Sequence, residues 1–115
     1  MIVGNFNDLI AKKIDSPEAR NAAMKVLVSP ETGWQDYVMR VVEVEKDGFT
    51  PKHSHPWQHI NYIIEGEGVL MIDNFDNPVK AGSFAYVPAD HIHQFRNVGD
   101  KTFKFICIVP KEGHK

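Results

Sequence analysis

Short apolar stretches broken by turn residues every few positions fill this chain from Met24 onward, and that rhythm restricts the fold more than any other feature. Val26 to Val28 stops at Ser29-Pro30. Tyr37 to Val44, rich in β-branched residues, closes on Glu45 to Gly48. Ile60 to Ile64 and Val69 to Ile72 flank Glu65 to Gly68, which has the composition of a hairpin loop. Asp73 to Pro78 reads as a turn before a short strand at Val79-Lys80, and Ala81 to Ser83 as another before Phe84 to Val87. Pro88 to Asp90 ends that strand. His93 to Val98 and Thr102 to Val109 follow, separated by a turn at Val98 to Lys101. Strands this short and this evenly spaced predict an antiparallel sandwich or barrel in place of βαβ units. Proline cannot donate to a ladder, so each proline is expected where a strand starts or stops. The N-terminal quarter is open between two readings. Ser16-Pro17-Glu18 has the chemistry of a helix start, whereas Met24 to Val28 can equally run on as an edge strand.

A chain of 115 residues has room for one core, so residues 1–115 are expected to form a single domain. Thirteen Lys and Arg against fifteen Asp and Glu give a formal charge of -2. Without a basic field to hold phosphate backbones, nucleic acid is not an expected partner. The lone cysteine, Cys107, excludes both an intrachain disulfide and a Cys-rich zinc module. Apolar runs such as Phe105 to Val109 fall far short of the ~20 residues that cross a bilayer. Met1 to Asp8 lacks the basic start and apolar stretch of a secretory signal. A soluble cytoplasmic domain without a membrane partner is therefore expected. Sheet edges and the apolar Ile2, Val3 and Phe6 point to pairing with a second copy.

The six histidines are the compositional oddity. In His53-Ser54-His55 the two imidazoles lie two residues apart, so on a strand both point to one face. His59 follows four residues on, and His93 arrives from a much later strand. Four neutral imidazoles on neighbouring strands can chelate one divalent metal, and imidazole suits Zn, Cu, Fe and Ni. No Asp or Glu stands between His55 and Glu65 to add a carboxylate ligand. Four ligands on an octahedral ion leave positions open, which reads as a catalytic-type site and not as closed structural zinc. Imidazole ligates only when neutral, so metal loss is expected as pH falls through roughly 6.

These residues resemble the cupin superfamily. Its first motif runs Gly, five residues, His-x-His, three or four residues, Glu, six residues, Gly. Here four residues in place of five separate Gly48 from His53, His59 takes the glutamate position, and Gly66 follows after six. The second motif runs Gly, five residues, Pro-x-Gly, two residues, His, three residues, Asn. Gly82, Pro88, His93 and Asn97 match it in register, with Asp90 at the middle glycine. The motifs occupy 48–66 and 82–97, and the likeness extends over about Tyr37 to Val109. It implies an all-β fold, the cupin double-stranded β-helix (jelly-roll) barrel, with a short irregular N-terminal segment. Within the superfamily the chain is similar to small single-domain cupins with four histidine ligands. That resemblance implies one divalent metal ion per chain on His53, His55, His59 and His93, manganese by usual assignment, and a homodimer. Ligand softness alone would favour Cu, Ni or Zn, with Fe also open.

Neighbouring residues suggest a substrate pocket. Trp57, between His55 and His59, could wall its mouth or simply pack. Phe95 alternates with His93 and shares its face. Phe103, Phe105 and Cys107 have one parity on the last strand, so an inward face would bring Phe105 and Cys107 near the metal. Arg40 could enter from the strand beginning at Tyr37. Turned inward it would need an anionic partner, and turned outward it would be a solvated arginine. Cys107 reads as an inert buried thiol. His91, in the Pro88 turn, and His114, in a terminal tail, are expected outside the site. The resulting expectation is a metal-dependent oxygenase or oxidoreductase acting on a small organic substrate. A small-molecule or metal-binding module without turnover is the competing class. No general base is apparent beside the ligands, which argues against acid–base isomerisation.

Overall fold

The structure, a computed structural model, describes residues 1–114. Its strands are β1 (Lys12–Lys13), β2 (Arg20–Val28), β3 (Tyr37–Phe49), β4 (His59–Glu65), β5 (Glu67–Ile72), β6 (Phe75–Lys80), β7 (Phe84–Val87), β8 (His93–Asn97) and β9 (Phe103–Pro110). Single 3-10 turns lie at Phe6–Asp8, Pro30–Thr32 and Lys111–Gly113. Strand neighbours run β6-β5-β8-β3-β9-β4-β7, all antiparallel, with β2 also paired to β3 and β1 to β2. Long β3 joins the two layers, because Tyr37 to Val44 pair with β9 while Phe49 pairs with Arg96 on β8. Ile63 N–H donates to the Ser83 carbonyl and Gly82 N–H to the Ile63 carbonyl, tying β4 to the β6–β7 connection. The result is a nearly closed antiparallel barrel of jelly-roll type.

Strict alternation decides what enters the barrel. Phe103, Phe105, Cys107 and Val109 of β9 are buried while the residues between them are not. On β8 the buried set is His93, Phe95 and Asn97, and on β4 it includes His59, Asn61 and Ile63. Phe103 pairs with Val44, and Asn97 bonds the Val44 carbonyl, so these gather toward one end, away from His59 and His93. Phe103, Phe105 and Leu70 are at most 2% exposed, each contributing on the order of 1.5–3 kcal/mol through burial. That apolar end stabilises a barrel whose other end is lined with polar rings. Phe95 and Phe105, stacked with centroids 4.0 Å apart, divide the two.

Several turns differ from the sequence expectation. Glu65 to Gly68 makes no hairpin: β4 bonds β7 and β9, whereas β5 bonds β6 and β8. Gly66, at φ 82, is where the chain passes from one layer to the other, and a Cβ there would overlap the Thr102 carbonyl oxygen. Composition marks a reversal but does not say which strands pair across it. The hairpin that does form joins β5 to β6 through Asp73 and Asn74 alone, both at positive φ (52 and 69), as a two-residue primed turn requires. Residues expected as turn thus continue as strand through Pro78. That proline sits inside β6, contrary to expectation, because β6 ends the strand order and its edge needs no donor there. Glu45 to Gly48 do not end β3 but form a bulge, with Asp47 at φ 64, between the pairs Ala22–Val44 and Arg20–Phe49. No helix starts at Ser16. Its carbonyl accepts from Ala19 N–H and its hydroxyl from Glu18 N–H, closing a turn that delivers the chain into β2. Of the two N-terminal readings, the strand is the one that forms.

Candidate metal centre

The four motif histidines come from three segments. His53 and His55 lie in the connection between β3 and β4, His59 opens β4, and His93 opens β8. Reciprocal backbone bonds clamp the first segment to the last, His93 N–H to the His53 carbonyl at 2.9 Å and His53 N–H to the His93 carbonyl at 3.2 Å. Residues facing each other in such a bridge project side chains to the same side. The His55 carbonyl accepts from Asp90 N–H at 2.8 Å. Asp90 holds φ 68 at the position where the motif usually has glycine, a conformation Asp reaches more easily than most residues.

One nitrogen each of His53, His55 and His93 lies within 4.8 Å of the other two, a cluster that could hold a metal ion. His59 adjoins it, with its Nε2 3.1 Å from His93 Nε2 and its ring centroid 5.5 Å from that of His55. Hydrogen bonds fix which nitrogen of three rings is free. Carbonyl oxygens only accept, so His55 Nδ1–H donates to the Trp57 carbonyl at 2.9 Å and His93 Nδ1–H to the His91 carbonyl at 2.8 Å. His59 Nδ1–H donates to Asn61 Oδ1 at 2.6 Å, since the Asn61 amide nitrogen is turned to the Ile106 carbonyl. A neutral imidazole that donates from Nδ1 carries its lone pair on Nε2. His59 and His93 therefore direct two lone pairs at each other across 3.1 Å, which is repulsive unless a cation lies against both. Outer partners of this kind are what orient metal-bound imidazoles. The donor set fits a divalent metal on chemistry visible in the fold.

Electrostatics keep these rings neutral. Burial pushes all four pKa values below the ordinary 6.5, most strongly at His93, which falls to about 4 with the other three imidazoles adding to the effect. The Arg40 guanidinium lowers His53, His55 and His59 further. The proton thus competes for the nitrogens at lower pH than the ordinary histidine value behind the sequence expectation.

A cavity of about 260 Å³ opens against the imidazoles. Arg40, Phe95, Phe105 and Cys107 line it together with His53, His55, His59 and His93. Trp57 does not. It stacks on His55, centroids 4.6 Å apart and planes 10° from parallel, and so supports that ring from outside the cavity. Other residues of the site had no place in the sequence reading. Asn61, 1% exposed, orients His59; its inward parity with His59 was the available signal. Ile14 and Met24 line the cavity from the N-terminal quarter, and nothing local in the sequence announces them. His91 does lie outside, pairing with Asp73. His114 does not hang free: the Lys111–Gly113 turn brings its Nδ1 to 3.4 Å from an Arg40 terminal nitrogen.

A jelly-roll barrel holding converging imidazoles inside one end defines a cupin-type protein. The Cupin_2 family (Cupin domain) matches residues 40–109, more than half of the chain, and the chain belongs to it. An uncharacterised protein of Methanocaldococcus jannaschii is 32% identical over 73 residues, covering 64% of this chain and 58% of that protein. The polyketide synthase CurC of Streptomyces cyaneus is 27% identical over 97 residues, covering 83% and 63%. The chain thus spans about three-fifths of the length of these two relatives. Among solved structures, the polyketide cyclase RemF from Streptomyces resistomycificus superposes with a TM-score of 0.91 at 26% identity, covering 96% of this chain and 80% of that one. Among the described residues no helix is long and apolar enough to cross a membrane.

Proposed function

We propose that the chain is a metal-dependent enzyme of oxygenase or oxidoreductase type, acting on a small organic molecule, with His53, His55, His59 and His93 together holding one divalent ion. The observation that carries this is the facing pair of Nε2 atoms on His59 and His93, each with its Nδ1–H committed elsewhere. Manganese is supported by the resemblance to four-histidine cupins, while the all-imidazole donor set equally suits Fe, Zn, Ni or Cu. When bound, the ion supplies Lewis-acid polarisation of a substrate oxygen and, for a redox-active metal, an electron couple. The chain's own part is positioning and exclusion. Phe95 and Phe105 offer an apolar floor beside the imidazoles. The cavity volume lies below the ~300–1,000 Å³ of drug-sized sites, so the substrate is small. No Asp, Glu or Tyr lines the cavity among the described residues, which leaves no carboxylate or phenol base for isomerase chemistry.

The likeness to the polyketide cyclase RemF supports a second reading, in which carbonyl polarisation drives ring closure without an oxidant. Manganese- and iron-loaded protein would be given catechols, 1,3-diketones and styrene-like alkenes, with oxygen uptake and product mass followed. Consumption that needs oxygen supports the oxygenase, and conversion persisting under argon supports the cyclase. If every compound binds and none is consumed, the chain is a binding module and both enzyme readings fail. A homodimer is the proposed form, supported by the exposed Ile60, Tyr62, Phe84 and Tyr86 on β4 and on β7 at the end of the strand order.

A further inference from the structure

Arg40 is an anomaly of charge. Its backbone on β3 is the register partner of Cys107 on β9, and Cys107 is in turn the partner of Asn61 on β4. Three adjacent strands thus place Arg40, Cys107 and Asn61 abreast beneath the imidazoles. A guanidinium has five N–H donors and stays charged at any physiological pH. Among the described residues its only hydrogen-bond partners are weak ones: the Cys107 sulfur at 3.4 Å from one terminal nitrogen, and His114 Nδ1 at 3.4 Å from the other. The Arg40 Nε is buried and has no hydrogen-bond partner among the described residues. None of the ion pairs among the described residues includes Arg40.

Arg40 is partly buried, and a guanidinium N–H held out of water without an acceptor is unfavourable. The cavity wall provides no relief, because no carboxylate lines it among the described residues. A metal held by four neutral imidazoles would bring two further positive charges and no compensating ligand charge. An occupant carrying negative charge answers both deficits. The apolar rings of Phe95 and Phe105 on the same wall suit an apolar or aromatic body.

We propose that Arg40 is the anchor for a carboxylate, so that the substrates of this site are small organic monoanions with an apolar body held against Phe95 and Phe105. The inference rests on the cavity being the substrate pocket of the metal site described above, and it names the class of molecule that pocket takes. Arg40 grips one end through its fork of donors, which leaves the rest of the molecule between the aromatic floor and the imidazoles. Charge-assisted bonds of this kind are the strong ones, and a bidentate fork adds orientation as well as affinity.

The test is binding, read by calorimetry on zinc-loaded protein under argon, where turnover plays no part. Benzoate is compared with its neutral isostere benzamide, on wild type and on Arg40→Met, with zinc content measured for each protein. Benzoate should bind wild type at least about tenfold more tightly than benzamide, the scale expected for a charge-assisted bond in place of a neutral one. Arg40→Met should lose that preference and keep its zinc. Equal affinity of the two ligands for wild type would overturn the proposal. So would a benzoate preference that survives in Arg40→Met, since the metal would then be the sole anchor. Should Arg40→Met fail to fold, the wild-type Arg40 Nε–H resonance decides the same question. It should shift on addition of benzoate and stay in place with benzamide, and no shift with benzoate refutes the anchor. A wild type that binds neither ligand refutes the monoanion pocket, while the metal-centre reading stands or falls separately on zinc stoichiometry.

Discussion

Replacing Asn61 by Ala separates the metal centre from the barrel that carries it. Asn61 is 1% exposed, takes His59 Nδ1–H at 2.6 Å on one atom and donates to the Ile106 carbonyl with the other. Alanine removes both bonds. The His59 Nδ1–H is then left buried without an acceptor, at a cost of about 1–3 kcal/mol. Its ring is also free to turn, so Nε2 no longer holds its place 3.1 Å from His93 Nε2. Loss of an orienting partner of this kind lowers metal affinity roughly 10–100-fold, which corresponds to about 1.4–2.7 kcal/mol. Zinc affinity would be read by competition with a chelating indicator near neutral pH, and stability by denaturant unfolding of the metal-free protein. Asn97→Ala is the control. That residue is buried too and donates to the Val44 and Lys101 carbonyls at 2.9 and 2.8 Å, but it lies away from the imidazoles. It should lose comparable stability and keep wild-type zinc affinity. Asn61→Asp keeps an acceptor oxygen for His59 and should recover most of the lost affinity. If both alanine variants weaken zinc equally, Asn61 acts through general stability and the positioning role is wrong.

His93→Ala should greatly weaken zinc binding, because it removes a ring that adjoins the other three and faces His59 Nε2 at 3.1 Å. His59→Glu should still bind metal, by rebuilding the donor set usual in the superfamily; elemental analysis of purified variants checks both, and equal metal in His93→Ala and wild type would remove His93 from the site. The metal-free protein should lose stability as pH falls from 6.5 toward about 4, the interval in which the unfolded chain takes up the His93 proton and the folded chain resists it. His53, His55 and His59 are lowered as well and add in the same direction. Urea midpoints measured across that interval should therefore decline, and a flat profile would contradict neutral burial of these rings. Gly66→Ala should destabilise by about 1–2 kcal/mol from its left-handed backbone alone, and by more through overlap with the Thr102 carbonyl; a thermal melt indistinguishable from wild type would refute the layer-crossing role.

The features legible in the sequence were those governed by local rules. Side chains on a strand alternate, so Phe103, Phe105 and Cys107 could be assigned one face from their spacing, and all three are buried. The inward set on β8, His93, Phe95 and Asn97, follows the same arithmetic. Asp90, which stands where the resembled motif has glycine, holds φ 68, a conformation Asp tolerates better than most residues. Turn composition, by contrast, marked Glu65 to Gly68 and Asp73 to Pro78 without saying that the first would cross between layers and the second tighten to two residues.

Long-range register settled the rest. Asn61 faces His59 by local spacing, but its amide orientation depends on the Ile106 carbonyl, 45 residues away. Arg40 meets Cys107 only because β3 and β9 pair in one register out of many, and it meets His114 only because the chain turns after β9. Which nitrogen each imidazole frees, and whether an inward arginine finds an acid, are properties of partners brought together by strand pairing. Hydrogen bonds and ion pairs act over about 3–4 Å, a distance that position along the chain does not measure.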